Sequence, residues 1–168
     1  MAILDGHNQQ VQGAQYQALI LVTNSTTAVE RCSLIINAKC GEEISAPYHS
    51  KKDLEENFQG FHKFSKFKIL VVCGKLLEGY DNSNITVVGI VRNVSSKVVF
   101  SQFVGRCLRN SNDAVPIQAA IVAHRSNNQE KNYTNLNRLA ESDPLEDDDD
   151  TNEVRSDENS NTCLVFFF

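Results

Sequence analysis

Lys68-Ile69-Leu70-Val71-Val72-Cys73-Gly74-Lys75-Leu76-Leu77-Glu78-Gly79-Tyr80-Asp81, followed by Ile85-Thr86-Val87-Val88-Gly89-Ile90-Val91 and then by Ser96–Arg109, is the stretch on which the fold turns. Its two apolar runs, Lys68–Cys73 and Ile85–Val91, are continuous rather than alternating, and both are rich in valine and isoleucine. That pattern belongs to strands covered on both faces, because a strand with one wet face alternates apolar and polar residues. Ser96–Arg109 reads as a helix returning from the second strand towards the next.

The same grammar continues in both directions. Upstream, Ala18–Val22 is another short continuous run, Thr23-Asn24-Ser25-Thr26 supplies a turn and an N-cap, and a helix is expected over Thr26–Ala38. Ile44–Tyr48 reads as a strand that Pro47 confines to an end or an edge. Lys51–Lys66 follows as a helix, with Ser50 as N-cap, Asp53, Glu55 and Glu56 in its first turns, and Leu54, Phe58, Phe61 and Phe64 as a core-facing stripe. Downstream, Ile117–His124 is the fifth strand. Strands alternating with helices predict an α/β fold, a parallel sheet with helices on both faces.

Around this domain, residues 18–125, the composition changes. Residues 1–17 are rich in Gln, Gly and Asn without a sustained apolar period, and read as a flexible leader or short connecting segment. Residues 126–168 form an acidic tail too polar to bury much surface and expected to be mostly disordered, with a short helix possible over Tyr133–Ala140. Residues 18–125 hold 13 Lys+Arg against 9 Asp+Glu, whereas residues 126–168 hold 3 against 11, so a net charge of −5 conceals a mildly basic domain before an acidic tail. An excess of +4 over a hundred residues is also what ordinary solvated surface carries, so charge alone does not identify a polyanion partner.

The closing Cys163-Leu164-Val165-Phe166-Phe167-Phe168 is too short to span a bilayer, and its cysteine lies too far from the end for a prenylation box. It reads as the end of a truncated or misassembled reading frame, with a buried terminal strand or an exposed apolar end as alternatives. Five widely spaced cysteines, none in a C-x-x-C pair or at a zinc-ligand interval from a histidine, argue against a disulfide framework or a metal site. With no apolar N-terminal run, they predict an intracellular protein, of the nucleus or the cytoplasm, with no membrane partner.

In a parallel α/β sheet, ligands gather at the carboxyl ends of the strands, and the segments that carry chemistry are expected there. After the Lys68–Cys73 strand, Gly74 allows close approach of a phosphate, Gly79 suits a tight turn, and Asp81 is a candidate acceptor for a ribose hydroxyl. Many αβ loops contain two glycines and an aspartate, so this pattern does not decide the matter. In Gln102-Phe103-Val104-Gly105-Arg106-Cys107-Leu108-Arg109, helical spacing puts Gln102, Arg106 and Arg109 on one side. Two guanidiniums aimed at one place suit a transferring phosphate, and basic residues at a helix C-terminus equally suit the helix dipole. Both readings stand for the segment in isolation.

The order and spacing of the segments decide between them. Leu77-Glu78-Gly79-Tyr80-Asp81, the strand Ile85–Val91, and Ser96-Lys97-Val98-Val99-Phe100-Ser101-Gln102 through Arg109 together resemble the C-terminal, second RecA-like domain of a superfamily 2 helicase, in the branch of restriction-enzyme and DEAH-like motors. Ala18–Thr27 resembles that family's opening strand and turn, and Tyr48-His49-Ser50 its short His-containing strand end. The resemblance covers about residues 16–125 and implies a RecA-like sheet of the P-loop NTPase type. It implies that Gly79, Asp81 and Gly105 face a nucleotide, that Gln102 does likewise, and that Arg106 and Arg109 are fingers directed at the γ-phosphate of ATP. It further implies that Thr23, Asn24, His49, Ser50, Gly74 and Lys75 lie along a DNA or RNA backbone, His49 being equally readable as an ordinary strand-end histidine. Many relatives have threonine where this chain has Cys73, which implies a weaker polar link between the two sites.

The family's motor consists of two RecA-like domains. The phosphate-cradling G-x-x-x-x-G-K-[ST] loop and the acidic box that holds Mg²⁺ belong to the first domain, and neither is present in these 168 residues. The expectation is half of an ATP-dependent nucleic-acid motor, completed by a first RecA-like domain in cis or in trans and inactive as an isolated ATPase. The alternative is a non-catalytic module that keeps the fold and binds nucleic acid or protein.

Overall fold

The computed structural model describes residues 1–13, 15–51, 54–63, 66–74, 80–108, 117–127, 129, 131–135 and 164–167. Its frame is a sheet of parallel strands: β1 (Gln17–Leu21), β2 (Ser45–Tyr48), β3 (Ile69–Val72), β4 (Ile85–Ile90), β5 (Ala120–Ala123) and β6 (Leu164–Phe167). They lie in the order β2-β3-β1-β4-β5-β6. The apolar runs form strands as expected, because each is buried on both sides; all four residues of β3 are buried, as are five of the six in β4. The terminal apolar run contributes β6 at the sheet edge, with Leu164 opposite Ala120.

Helices cover both faces, which makes this the α/β, RecA-like arrangement that the sequence predicts. α1 (Ala2–Gln10) and α2 (Thr26–Cys40) lie on one side, where Leu4 and Val29 pack with Ala18, Ile69, Val71, Val87 and Ala120. α3 (Glu55–His62) and α4 (Lys97–Val104) lie on the other, where Phe61, Phe100 and Phe103 pack with Leu19, Leu21, Leu70, Val88 and Ile121. Each of those three phenylalanines is at most 1% exposed, and burying such a ring stabilises the fold by about 1.5–3 kcal/mol.

α2 is delimited by local chemistry. The Ser25 hydroxyl accepts from Ala28 N–H at its start, and Gly41, at φ 72°, closes it by donating to Asn37 O. Asn37 then accepts from the backbone N–H groups of Ile44 and Ser45, fixing where β2 begins.

Three expectations are corrected. Residues 1–17, read as a flexible leader, include α1. It docks on the sheet through Leu4, through His7, whose Nδ1 lies 2.9 Å from Thr86 Oγ1, and through Asn8, which bonds the backbone of Tyr16. One buried leucine and one buried histidine per two turns is too sparse a stripe to register as periodicity. α3 starts at Glu55 after Leu54 rather than at Lys51 after Ser50, because Lys51 N–H donates to His49 Nδ1 and turns the chain away from helix. α4 ends at Val104 rather than Arg109: Arg106 and Cys107 donate to carbonyls three residues back, which tightens the chain into a non-α turn. In the predicted stripe of α3, Phe61 is fully buried and Leu54 and Phe58 are half-buried against the same core, while Phe64 and Asp53 lie outside the described residues.

Candidate functional site: two ends of one sheet

The residues singled out by the sequence separate into two groups. The first lies at the carboxyl end, where the chain leaves β1, β2, β3 and β4. Thr23, Asn24, Ser50 and Gly74 are all exposed there. α2 leaves β1 over one face and α4 leaves β4 over the other, so the loops after these neighbouring strands diverge and open a crevice between them. This is a topological switch point, the general ligand position of open α/β sheets. Arg92, two residues beyond β4, reaches across it and donates from Nη1 to Asn24 Oδ1.

His49 belongs to this end but is not part of its surface. The ring is 1% exposed, Nε2 lies 3.4 Å from Glu30 Oε1, and Nδ1 accepts from Lys51 N–H at 3.3 Å. It anchors the end of β2 to α2, the structural alternative to backbone contact. Lys75, and with it Leu76–Gly79, lies outside the described residues.

The second group lies towards the amino end, on the face of α3 and α4, contrary to the expectation of a carboxyl-end position. Gly74 follows the carboxyl end of β3, whereas Asp81 lies four residues before Ile85, at the start of β4. α4 runs antiparallel to the strands and carries its C-terminal turn towards the same end. There Arg106 Nη1 donates to Tyr80 O, next to Asp81. Arg106 is only 8% exposed, whereas Asp81 is exposed and Gln102 and Gly105 are half-buried. A Cβ at Gly105 would lie 3.0 Å from Ser101 O, a tight approach in this turn. Arg109 lies outside the described residues.

A buried polar network underlies this second group. Gln17, fully buried at the start of β1, donates from Nε2 to Phe61 O and to Phe67 O at 3.3 Å, and its Oε1 accepts from Asn82 at 2.9 Å. Asn82 also donates to Tyr80 Oη, which lies 3.3 Å from His62 Nδ1. Burial raises the Tyr80 phenol above its ordinary pKa, partly offset by the bond from Asn82. The Tyr80 ring packs edge-on to Phe58, which stacks on Tyr48. Tyr80, the residue before Asp81, is thus held in a network with side chains from β1, β2 and α3 before any ligand is considered.

Sequence reasoning missed Arg92 and the Gln17–Asn82 network. Arg92 had a usable signal, since it follows a buried strand as directly as Thr23 or Gly74 does. Gln17 had none, because a glutamine before an apolar run looks like a boundary residue.

A cavity of about 640 Å³ lies elsewhere, on the α1 face, lined by Ile3, Leu4, Ile20, Val87, Gly89 and Val122 among others, and it touches neither group. Among the described residues, no cluster of three His, Cys, Asp or Glu could hold a metal ion, and no helix is long and apolar enough to cross a membrane.

No protein family and no curated protein matches the sequence. Among solved structures, the chain is similar to the Mycobacterium smegmatis helicase Lhr bound to ssDNA and AMP-PNP, at 19% identity and a TM-score of 0.49. The match covers 65% of this chain and 14% of that one, so the chain spans a small part of the length of the protein it resembles.

Proposed function

We propose that the chain is the second RecA-like half of a superfamily 2 nucleic-acid motor of the restriction-enzyme and DEAH-like branch, acting inside the cell in the nucleus or cytoplasm. The observation that carries this reading is the ordered set Glu78-Gly79-Tyr80-Asp81, Ile85–Val91 and Gln102–Arg109 on a parallel sheet in which Arg106 bonds the residue next to Asp81. Two elements 25 residues apart in sequence, at positions 81 and 106, are thereby brought to one place.

On this reading the two ends of the sheet divide the labour. Asp81, exposed beside the Arg106–Tyr80 contact, fits the ribose of ATP as a hydroxyl acceptor, with Gly79 and Gly105 allowing close approach and Gln102 alongside. Arg106 and Arg109 supply positive charge towards the γ-phosphate, where guanidiniums stabilise charge developing during phosphoryl transfer. Mg²⁺ and the phosphates are held by a first RecA-like domain supplied in cis or in trans. Thr23, Asn24, Ser50, Gly74 and Lys75 track the phosphates and sugars of DNA or RNA, with His49 acting from beneath by holding β2 against α2. Contacts of that kind are independent of base sequence and weaken steeply with salt.

A second reading is a binding module that keeps the fold without driving ATP turnover. The burial of Arg106 favours it, since a guanidinium 8% exposed and bonded to Tyr80 O serves the fold as it stands. Phosphate release measured with and without an oligonucleotide tests the half-motor reading. The isolated chain is expected to show no ATP turnover; turnover abolished by Arg106→Ala would refute the claim that the catalytic cradle lies elsewhere.

A further inference from the structure

We propose that Arg92 is the charged centre of a phosphate subsite at the β1–β4 crevice, orienting the Asn24 amide and presenting its own guanidinium to the backbone of a bound nucleic acid. This inference rests on the reading that the carboxyl end of the sheet follows a nucleic-acid strand, and it adds a residue to which neither sequence motif nor family resemblance assigns a role.

Three observations converge. First, Arg92 Nη1 donates to Asn24 Oδ1, joining the loops after β1 and β4 across the switch point. Asn24 is exposed on a turn, where an amide with no partner would rotate freely. A fixed carbonyl side leaves its NH₂ group pointing in one direction, as a positioned donor.

Second, Arg92 Nε is shielded from solvent and has no hydrogen-bond partner among the described residues, while the side chain as a whole is only half-buried. A guanidinium carries five N–H donors in a planar fork that matches two phosphate oxygens. The unmet Nε shows that the chain itself does not satisfy this guanidinium, whose bond to Asn24 uses only Nη1.

Third, the segments that flank Asn24 and Arg92 carry no opposing charge. Residues 22–29 and 91–101 contain no Asp or Glu, and neither α2 nor α4 has an acidic residue in its first turn. Glu30, the first carboxylate along α2, lies against His49. The loop bearing Arg92 is also held from behind: Asn127 donates to Ile90 O and Asn132 to Val94 O, so the charge sits on a braced support.

The test is binding of the whole chain to fluorescein-labelled oligothymidylate and oligouridylate, followed by anisotropy across a salt series. Arg92→Ala is expected to weaken binding about tenfold and to reduce the slope of log affinity against log salt by about 0.7, the share of one phosphate on a single strand. Arg92→Lys is expected to keep the slope while losing part of the affinity, because a point charge does not hold Asn24 in a fork. Asn24→Ala combined with Arg92→Ala is expected to cost less than the two separately, as paired groups do. Lys39→Ala, which removes one charge at the far end of α2, is the control and leaves affinity and slope unchanged. Arg92→Gln and circular dichroism exclude misfolding as the cause of a loss. Wild-type affinity and slope in Arg92→Ala, with oligonucleotide binding intact, would overturn the subsite alone. Failure of the wild-type chain to bind either oligonucleotide at low salt would overturn both the subsite and the reading beneath it.

Discussion

The two ends of the sheet are built on opposite plans. At the carboxyl end, Thr23, Asn24, Ser50 and Gly74 are exposed, and the crevice between β1 and β4 is bridged by a side-chain bond from Arg92. At the amino end, Gln17, Tyr80 and Arg106 are buried, and their hydrogen bonds tie β1, α3, the approach to β4 and the end of α4 into one network. On the proposed reading, a surface that meets a mobile polyanion needs donors free of internal partners, whereas Asp81 needs its neighbours fixed. Substitutions at the two ends should therefore fail in different ways: one in binding, the other first in stability.

The largest effect is expected from Phe103→Ala, which empties a fully buried position on α4 between the sheet and the Arg106 turn. Urea unfolding should show a loss of about 3–5 kcal/mol, and a loss under 1 kcal/mol would mean that α4 is not packed on the sheet as described. Next comes Gln17→Leu, which keeps bulk but leaves the carbonyls of Phe61 and Phe67 and the amide of Asn82 without their partner. A buried group stripped of its bond costs about 1–3 kcal/mol, so a comparable shift in unfolding midpoint is expected. A neutral result would show that the amino-end network is not a structural brace.

A smaller, pH-dependent effect belongs to α1. Burial lowers the His7 pKa from its ordinary value of 6.5, so the folded protein prefers the neutral ring beside Thr86. The unfolded chain binds the proton more readily. The contribution of His7 is therefore fully present above pH 6.5 and is lost as pH falls through 6.5 towards the lowered value. Protection of the amides of residues 2–10, measured against their intrinsic exchange rate at each pH, should fall over that window in the wild type, and His7→Gln should flatten the dependence. Smallest of all, Thr23→Ala and Asn24→Ala should each change stability by no more than about 0.5 kcal/mol, as exposed positions do. A larger loss would erase the contrast between the two ends.

Much of this was legible in the sequence, and the reasons differ by element. The strands declared themselves because double burial forces an unbroken apolar run, as in Ile69–Val72. Ser25 and Ser96 declared two helix starts, since each hydroxyl accepts from the backbone three residues on. The start of α3 was hidden, because the group that turns the chain at Lys51 is the side chain of His49 acting through space. α1 was hidden for a similar reason, as its docking depends on Thr86, seventy-nine positions away from His7. The carboxyl-end residues were readable as those that follow strands. The place of Asp81 and Arg106 was not, because it depends on the bond from Arg106 to Tyr80 O, made through space between positions far apart in sequence.

The claim most open to direct attack is that nucleic acid meets the carboxyl end and not the amino end. Anisotropy of a labelled oligothymidylate at low and moderate salt, compared between Thr23→Ala/Asn24→Ala and Lys39→Ala/Lys66→Ala, tests it. The carboxyl-end pair should lose about tenfold or more in affinity while the amino-end pair, two lysines removed, stays within about twofold of the wild type. Loss of binding on removal of Lys39 and Lys66, with Thr23→Ala/Asn24→Ala unaffected, would contradict it.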